Sequence, residues 1–370
     1  MSNQNPTDVF FEKYDLNGLT LPNRLAVAPM TRVSANADGT VTERVANYYE
    51  RWARGGFGLV ITEGSFTDSE FSQTYLHQAG LARPEHARAW STVVERLHDG
   101  GSLVFAQLQH GGGQSQGNAH RDGTVGPSAI APRGEQLGMY RGSGPYRTPR
   151  ELTHAELRDV RAGFVQSAKN AVDAGFDGVE VHGANGYLLD EFITDYLNER
   201  TDEYGGDVAG RIRFAVEVCQ DVIDAVGSQI TVGIRISQGK VSDNHHKWAG
   251  AEQEAAQIFV ALRESGVDYV HTTEYRASAP LNSEGTKTLA RVAKDHFGRT
   301  VIANGGMEVV ADSRELLTTG AADVVAIGKA ALADPSWPQT LRAGGDTNLP
   351  LPDGLLGPLA DVKDLELELS

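Results

Sequence analysis

Cysteine is almost missing from this 370-residue chain, where Cys219 stands alone. A single thiol excludes an intramolecular disulfide, a Cys-rich zinc module and a Cys-ligated iron–sulfur cluster. Basic residues are also scarce: 33 Lys and Arg face 49 Asp and Glu, for a formal charge of -16. A chain this acidic repels phosphate backbones, and no local basic patch offsets it, so nucleic acid is not an expected partner. No apolar run approaches the roughly eighteen residues of a membrane span. Met1 to Asp15 is polar and lacks the apolar stretch of a secretory leader. The expectation is a soluble, cytoplasmic protein with no metal site. What remains, 40% hydrophobic and 22% charged residues, suffices for an ordinary core.

Eight short runs rich in Val, Ile and Leu recur along the chain: Arg24–Pro29, Gly58–Thr62, Ser102–Leu108, Gly178–His182, Gln229–Ile236, Val267–Thr273, Thr300–Ala303 and Ala322–Ile327. Few interior charges interrupt them, as expected of parallel strands covered by helices. Amphipathic segments alternate with them, at about Thr42–Arg54, Pro84–His98, Gly210–Ala225, Glu252–Ser265 and Asp312–Thr319. Thr153-His-Ala-Glu156 reads as a capping box opening another helix, with Gly175 as its C-cap. Eight β-then-α units predict an α/β fold of the (β/α)8 TIM-barrel type. The reading is one domain over 1–370, with the barrel at about 16–345 and an acidic tail at about 346–370. No G-x-G-x-x-G follows the first strand, which disfavours a Rossmann sheet. Gly111 to Arg150 is aperiodic and rich in Gly, Pro, Ser and Arg. It follows the third strand and is expected to form a lid or hairpin over a site.

Active sites of such barrels lie where the strands end, on their C-terminal side. The residues gathered there are Met30, Thr31, Glu63, Gly64, Gln107, His110, His182, Asn185, Tyr187, Arg235, Thr272, Glu274, Gly305, Gly306, Gly328 and Lys329. Glycines after the last two strands suit a phosphate held by backbone N–H groups, with Lys329 adding charge. Gln107, Arg235 and Thr31 can hydrogen-bond a heteroaromatic ring, and His182, Asn185 and Tyr187 supply donors beside it. Blander readings attach to other groups. Glu63 is a structural carboxylate, Asp202 and Glu203 anchor a loop, His245-His246 is a solvated loop, and Cys219 is a small buried residue. A neighbouring Glu would serve Arg235 as a partner.

Several motifs then carry a resemblance to the Old Yellow Enzyme family, FMN-containing (β/α)8-barrel oxidoreductases. They are Leu21-Pro-Asn-Arg-Leu-Ala-Val-Ala-Pro-Met-Thr-Arg32, Gly58-Leu-Val-Ile-Thr-Glu-Gly64, Gln107-Leu-Gln-His110 and His182-Gly-Ala-Asn-Gly-Tyr-Leu-Leu-Asp190. The last runs on into Asn198-Glu-Arg-Thr-Asp-Glu-Tyr-Gly-Gly206. The resemblance spans about Leu16 to Arg342 and implies tightly bound, non-covalent FMN. Pro29, Met30, Gly64 and Gln107 would line its ring, Thr31 would hydrogen-bond near C4=O, and Arg235 would face the N1/C2=O edge. Gly305, Gly306, Gly328 and Lys329 would hold the phosphate. His182 and Asn185 would bind a substrate oxygen, and Tyr187 would donate the proton. The implied activity is an ene-reductase that passes hydride from NAD(P)H, through FMN, to electrophilic alkenes bearing a carbonyl or nitro group. Reduction of nitro compounds or nitrate esters, and amine oxidation, are the alternatives at the same site. The sequence departs from the family at Lys329, usually Arg, and at Gly111-Gly-Gly113, which removes a guanidinium. It departs also at the polar Gln109. The tail lacks the aromatic and Arg pattern some relatives use across a dimer, so a homodimer stays open.

Overall fold

The structure, a computed structural model, describes residues 8–368. Residues 1–7 of the polar N-terminal stretch lie outside the described residues. Eight parallel strands close into a barrel: β1 (Leu25–Val27), β2 (Leu59–Ile61), β3 (Leu103–Gln109), β4 (Gly178–Asn185), β5 (Thr231–Lys240), β6 (Tyr269–Thr273), β7 (Thr300–Asn304) and β8 (Val324–Ile327). Each pairs with the next, and β8 pairs with β1 to complete the cycle. Every strand coincides with one of the eight runs read from the sequence.

Helices cover the outside. They are α1 (Glu43–Arg54), α2 (Pro84–Asp99), α3 (His154–Ala174), α4 (Val208–Val226), α5 (Ala251–Ser265), α6 (Leu289–Phe297), α7 (Val310–Thr318) and α8 (Trp337–Ala343). In α1, Val45, Tyr48, Tyr49 and Trp52 recur every three or four residues and are buried against the strands. The Thr153–Glu156 capping box forms, and Gly175 ends α3 at φ 88°. α6 and α8 have no counterpart among the helices read from sequence; Leu289, Val292 and Ala293 are the buried face of α6.

An antiparallel hairpin, Tyr14–Leu16 with Leu19–Leu21, precedes the barrel. Its Leu16 and Leu21 join Ala26, Leu59, Phe105, Tyr269, Ile302 and Val324 in a separate apolar cluster inside the barrel. The Tyr14 hydroxyl lies 2.9 Å from Thr300 Oγ1 at the start of β7, which fixes the hairpin to the N-terminal end.

Two strands outrun their expected ends by more than one residue. β4 continues through Asn185 and β5 through Lys240, with a register shift between Ile236 and Lys240. Arg235, inside β5 as the run implied, pairs in register with His182 on β4 and His271 on β6. The tail packs on this barrel. Glu366, fully buried, forms an ion pair with Arg32, whose Nε and Nη2 also donate to the Ala360 and Asp361 carbonyls at 3.0 Å.

Candidate active site

The C-terminal ends of the strands open into a cavity of about 340 Å³. Pro29, Met30 and Thr31 line it from beyond β1, Gln107 from β3, His182, Asn185 and Tyr187 from β4 and its following turn, Arg235 from β5, and Lys329 from beyond β8. Residues far apart in sequence thus converge on one concave surface. The four expected glycines, Gly64, Gly305, Gly306 and Gly328, are not among its lining residues. Gly64 packs where a Cβ would run into the Gln109 side chain, and Gly328 lies beside Met30, 4.0 Å from the sulfur to the place of a Cβ.

The turn after β4 is strained and heavily tethered. Asn185 adopts φ 65° and Gly186 φ 86°, a left-handed pair that aims Asn185 and Tyr187 at the cavity. The Asn185 N–H donates to Ser237 Oγ at 2.8 Å, and Gln114 Nε2 donates to the Asn185 carbonyl at 2.8 Å. The Gly186 N–H donates to Asp190 Oδ2 at 2.6 Å, while Lys240 Nζ donates to Asp190 Oδ1 at 2.7 Å. Both members of this ion pair are buried, so its geometry is set without help from water.

The cavity floor is polar and its charges are arranged. Gln107 Nε2 donates to Glu180 Oε1 at 2.8 Å, which leaves the Gln107 oxygen as an acceptor. Glu180 also accepts from His271 Nδ1 at 2.8 Å. Arg235 bonds neutral oxygens, Asn304 Oδ1 at 2.7 Å and Thr273 Oγ1 at 3.2 Å, where the sequence suggested a Glu partner. Its Nε has no partner among the described residues, and neither does Nδ1 of His182. Burial, reinforced by the nearby Arg235 charge, drives the His182 pKa well below that of a free imidazole, so the ring is neutral. Burial raises the Tyr187 pKa although a hydrogen bond from Tyr75 opposes it. Those two hydroxyls are 2.8 Å apart, and the His182 and Tyr187 rings meet edge to face at 5.0 Å.

Sequence reasoning missed part of the wall. Leu137, Met139 and Tyr140, from the long excursion after β3, reach the cavity, as does Leu356 from the tail. The Tyr140 hydroxyl donates to the Thr31 carbonyl at 3.2 Å, and the Ala360 N–H donates to the Met139 carbonyl at 2.9 Å. Excursion and tail are therefore clasped over the mouth, in keeping with the lid expected of that segment. Of the groups read as structural, Glu63 borders the mouth through Arg32, and Asp202 and Cys219 lie elsewhere. Asp202 anchors Arg200, and the Cys219 thiol is buried in α4 with its pKa raised by that burial. His246 is not simply solvated: its Nδ1 bonds the Gln238 carbonyl at 2.8 Å and its ring packs on Tyr196.

The donor set suits a flat heteroaromatic ring ending in a phosphate. Arg235 Nε is unclaimed and the Gln107 oxygen is left to accept, and the backbone N–H groups of Gly306, Gly328 and Lys329 donate no hydrogen bond among the described residues.

Comparison with known proteins agrees. Residues 10–348 match the NADH:flavin oxidoreductase / NADH oxidase family. A probable flavin mononucleotide-dependent alkene reductase of Leishmania infantum is 32% identical over 351 residues, 93% of each chain. The old yellow enzyme homologue from Zymomonas mobilis superposes with a TM-score of 0.86 at 28% identity, over 98% of this chain and 99% of that one. Morphinone reductase in complex with tetrahydroNAD gives 0.81 at 29% identity, over 94% and 93%. The chain belongs to the NADH:flavin oxidoreductase / NADH oxidase family, the Old Yellow Enzyme family, and is an FMN-dependent oxidoreductase of that group. Among the described residues no helix is long and apolar enough to cross a membrane.

Proposed function

We propose that the chain is an NAD(P)H-dependent ene-reductase acting on alkenes activated by a carbonyl or nitro group. The observation that carries this reading is the single cavity in which His182, Asn185 and Tyr187 face the ring-binding set of Pro29, Met30, Thr31, Gln107 and Arg235. Gly64 would back that set, and Gly305, Gly306, Gly328 and Lys329 would take the phosphate. When bound, FMN would supply a hydride acceptor and donor at N5, fed by NAD(P)H. That the similar morphinone reductase forms a complex with tetrahydroNAD supports a nicotinamide donor for this chain.

The protein's own work is binding, polarisation and proton delivery. His182, neutral and buried, and the Asn185 amide present donors to the substrate oxygen, where negative charge grows as the β-carbon is reduced. Because Asn185 is held by the Ser237 and Gln114 hydrogen bonds, its donor needs little reorganisation during the reaction. Tyr187, kept protonated by burial, donates its hydroxyl proton to the α-carbon. The Tyr75 hydroxyl then stabilises the phenolate left behind, at 2.8 Å. Met139, Leu137, Leu332 and Leu356 give the cavity an apolar rim, suited to a small unsaturated ketone more than to a charged acceptor.

Anaerobic stopped-flow spectroscopy tests the proposal. NAD(P)H is expected to bleach the flavin absorbance and an unsaturated ketone to restore it. Tyr187→Phe is expected to slow restoration about 10²–10⁴-fold and leave bleaching unchanged. Restoration only by nitro compounds, nitrate esters or oxygen would move the assignment to those acceptors. Unaltered restoration in Tyr187→Phe would remove the proton donor.

A further inference from the structure

The loop joining β6 to α6, residues 274–288, folds onto the turn that follows β7. The Ala277 N–H donates to the Gly305 carbonyl at 2.9 Å, and the Glu274 N–H to the Asn304 carbonyl at 3.1 Å. Gly305 has φ 123° and Gly306 φ 70°, and a Cβ on Gly305 would collide with the Glu274 carbonyl. Only glycine fits that close approach. The docking seats Arg276 over the turn, with its Cγ 3.9 Å from where a Gly306 Cβ would stand.

The guanidinium of Arg276 is steered but not used up. Nε donates to Ser278 Oγ at 3.1 Å, and Nη2 reaches Asp312 Oδ2 at 3.3 Å. That ionic contact is long beside the roughly 2.7–2.9 Å of a committed charge-assisted bond. Ser278 Oγ also donates to Asp312, at 2.5 Å, so the carboxylate is partly satisfied without the arginine. Nη1 has no hydrogen-bond partner among the described residues. Asp312 stands in the first turn of α7 and holds the fork at the lip of the glycine turn.

We propose that Arg276 is a phosphate ligand of the flavin mononucleotide, supplying the planar fork that Lys329 does not. Lysine offers a mobile point charge, whereas arginine matches two phosphate oxygens at once. The backbone donors of Gly306, Gly328 and Lys329 would take the remaining oxygens, and the two cations would stand on separate loops, after β6 and after β8. The inference rests on the flavin reading given above and assigns a residue the family motifs do not mark.

Titrating full-length, flavin-free protein with FMN and with riboflavin, followed by flavin fluorescence, separates the phosphate from the ring. Arg276 is two-thirds exposed, at 66%, so screening limits its contribution. Arg276→Met is expected to weaken FMN about tenfold, to leave riboflavin unchanged, and to flatten the salt dependence of FMN binding. Arg276→Lys is expected to recover part of the FMN affinity. Equal weakening of both ligands would show a merely structural loop and overturn the proposal, as would unchanged FMN affinity. Wild-type protein that binds neither flavin would overturn the cofactor reading itself, an outcome distinct from the other two.

Discussion

At the N-terminal end of the barrel the interior is closed by carbon: Leu16 and Leu21 of the hairpin sit over Leu59, Phe105, Tyr269 and Val324, all fully buried. Toward the opposite end the strands carry Gln107, His182, Arg235 and Asn304, and the imidazole and guanidinium each keep a buried nitrogen without a partner among the described residues. Apolar contacts need only shape, so the lower end is satisfied by itself. Buried polar groups need partners, so the upper end is complete only with a ligand that supplies them. The contrast puts unused hydrogen-bonding capacity at the end where the active site is proposed, and it can be strained from either side.

The largest effect is expected at the mouth. Lys240→Met leaves the Asp190 carboxylate buried without its cation, at a cost of about 3–5 kcal/mol. Urea melts should show this, and turnover of an unsaturated ketone should fall with it because the Asn185–Gly186 turn loses its tether. The double variant Lys240→Met/Asp190→Asn should regain most of the stability, since an asparagine oxygen can still accept the Gly186 N–H. If the single variant melts like wild type, the mouth does not depend on that pair.

The plug should behave in the reverse way. Leu21→Ala removes buried methyls from the lower cluster and should cost roughly 3 kcal/mol, the middle of the range for such truncations. Yet kcat/KM of the folded enzyme should stay at the wild-type value, because Leu21 belongs to the cluster at the N-terminal end and does not line the cavity. A fall in kcat/KM beyond the loss of folded protein would mean that the two ends are coupled.

How legible each end was in the sequence follows from the same contrast. The strands announced themselves because burial on both faces demands continuous β-branched and aliphatic runs. The turn from His182 to Tyr187 was legible because His, Asn, Gly and Tyr cluster where a strand run stops. Lys240 was not legible. The run ends at Ile236, the register shift that carries β5 on to Lys240 leaves no periodic trace, and its partner Asp190 is fifty residues upstream. Tyr140 and Leu356 were hidden for a related reason. Both belong to irregular segments whose place is set by long-range clasps, such as Arg32 with Glu366, and not by local pattern. The hairpin plug escaped notice because strands of three residues are too short to show alternation.

The smallest effect concerns Glu63, which lies just past β2 and accepts the Arg32 N–H at 3.0 Å, beside the residues that line the mouth. Burial pushes its carboxyl up to about 7, against the pull of the Arg32 N–H and charge. The native state then binds the proton at pH values where the unfolded chain, near the ordinary 4.5, has already lost it. Stability therefore falls as pH rises through that window, by roughly 2 kcal/mol between about pH 5 and about pH 6.5. Glu63→Gln keeps the size and the acceptor for Arg32 but cannot ionise, so its stability should lose this component of the pH slope. Chemical denaturation of both proteins across the window measures the difference. Parallel curves would mean that Glu63 ionises in the fold as it does in water, and the polar groups near the mouth would then be less costly to hold than their burial implies.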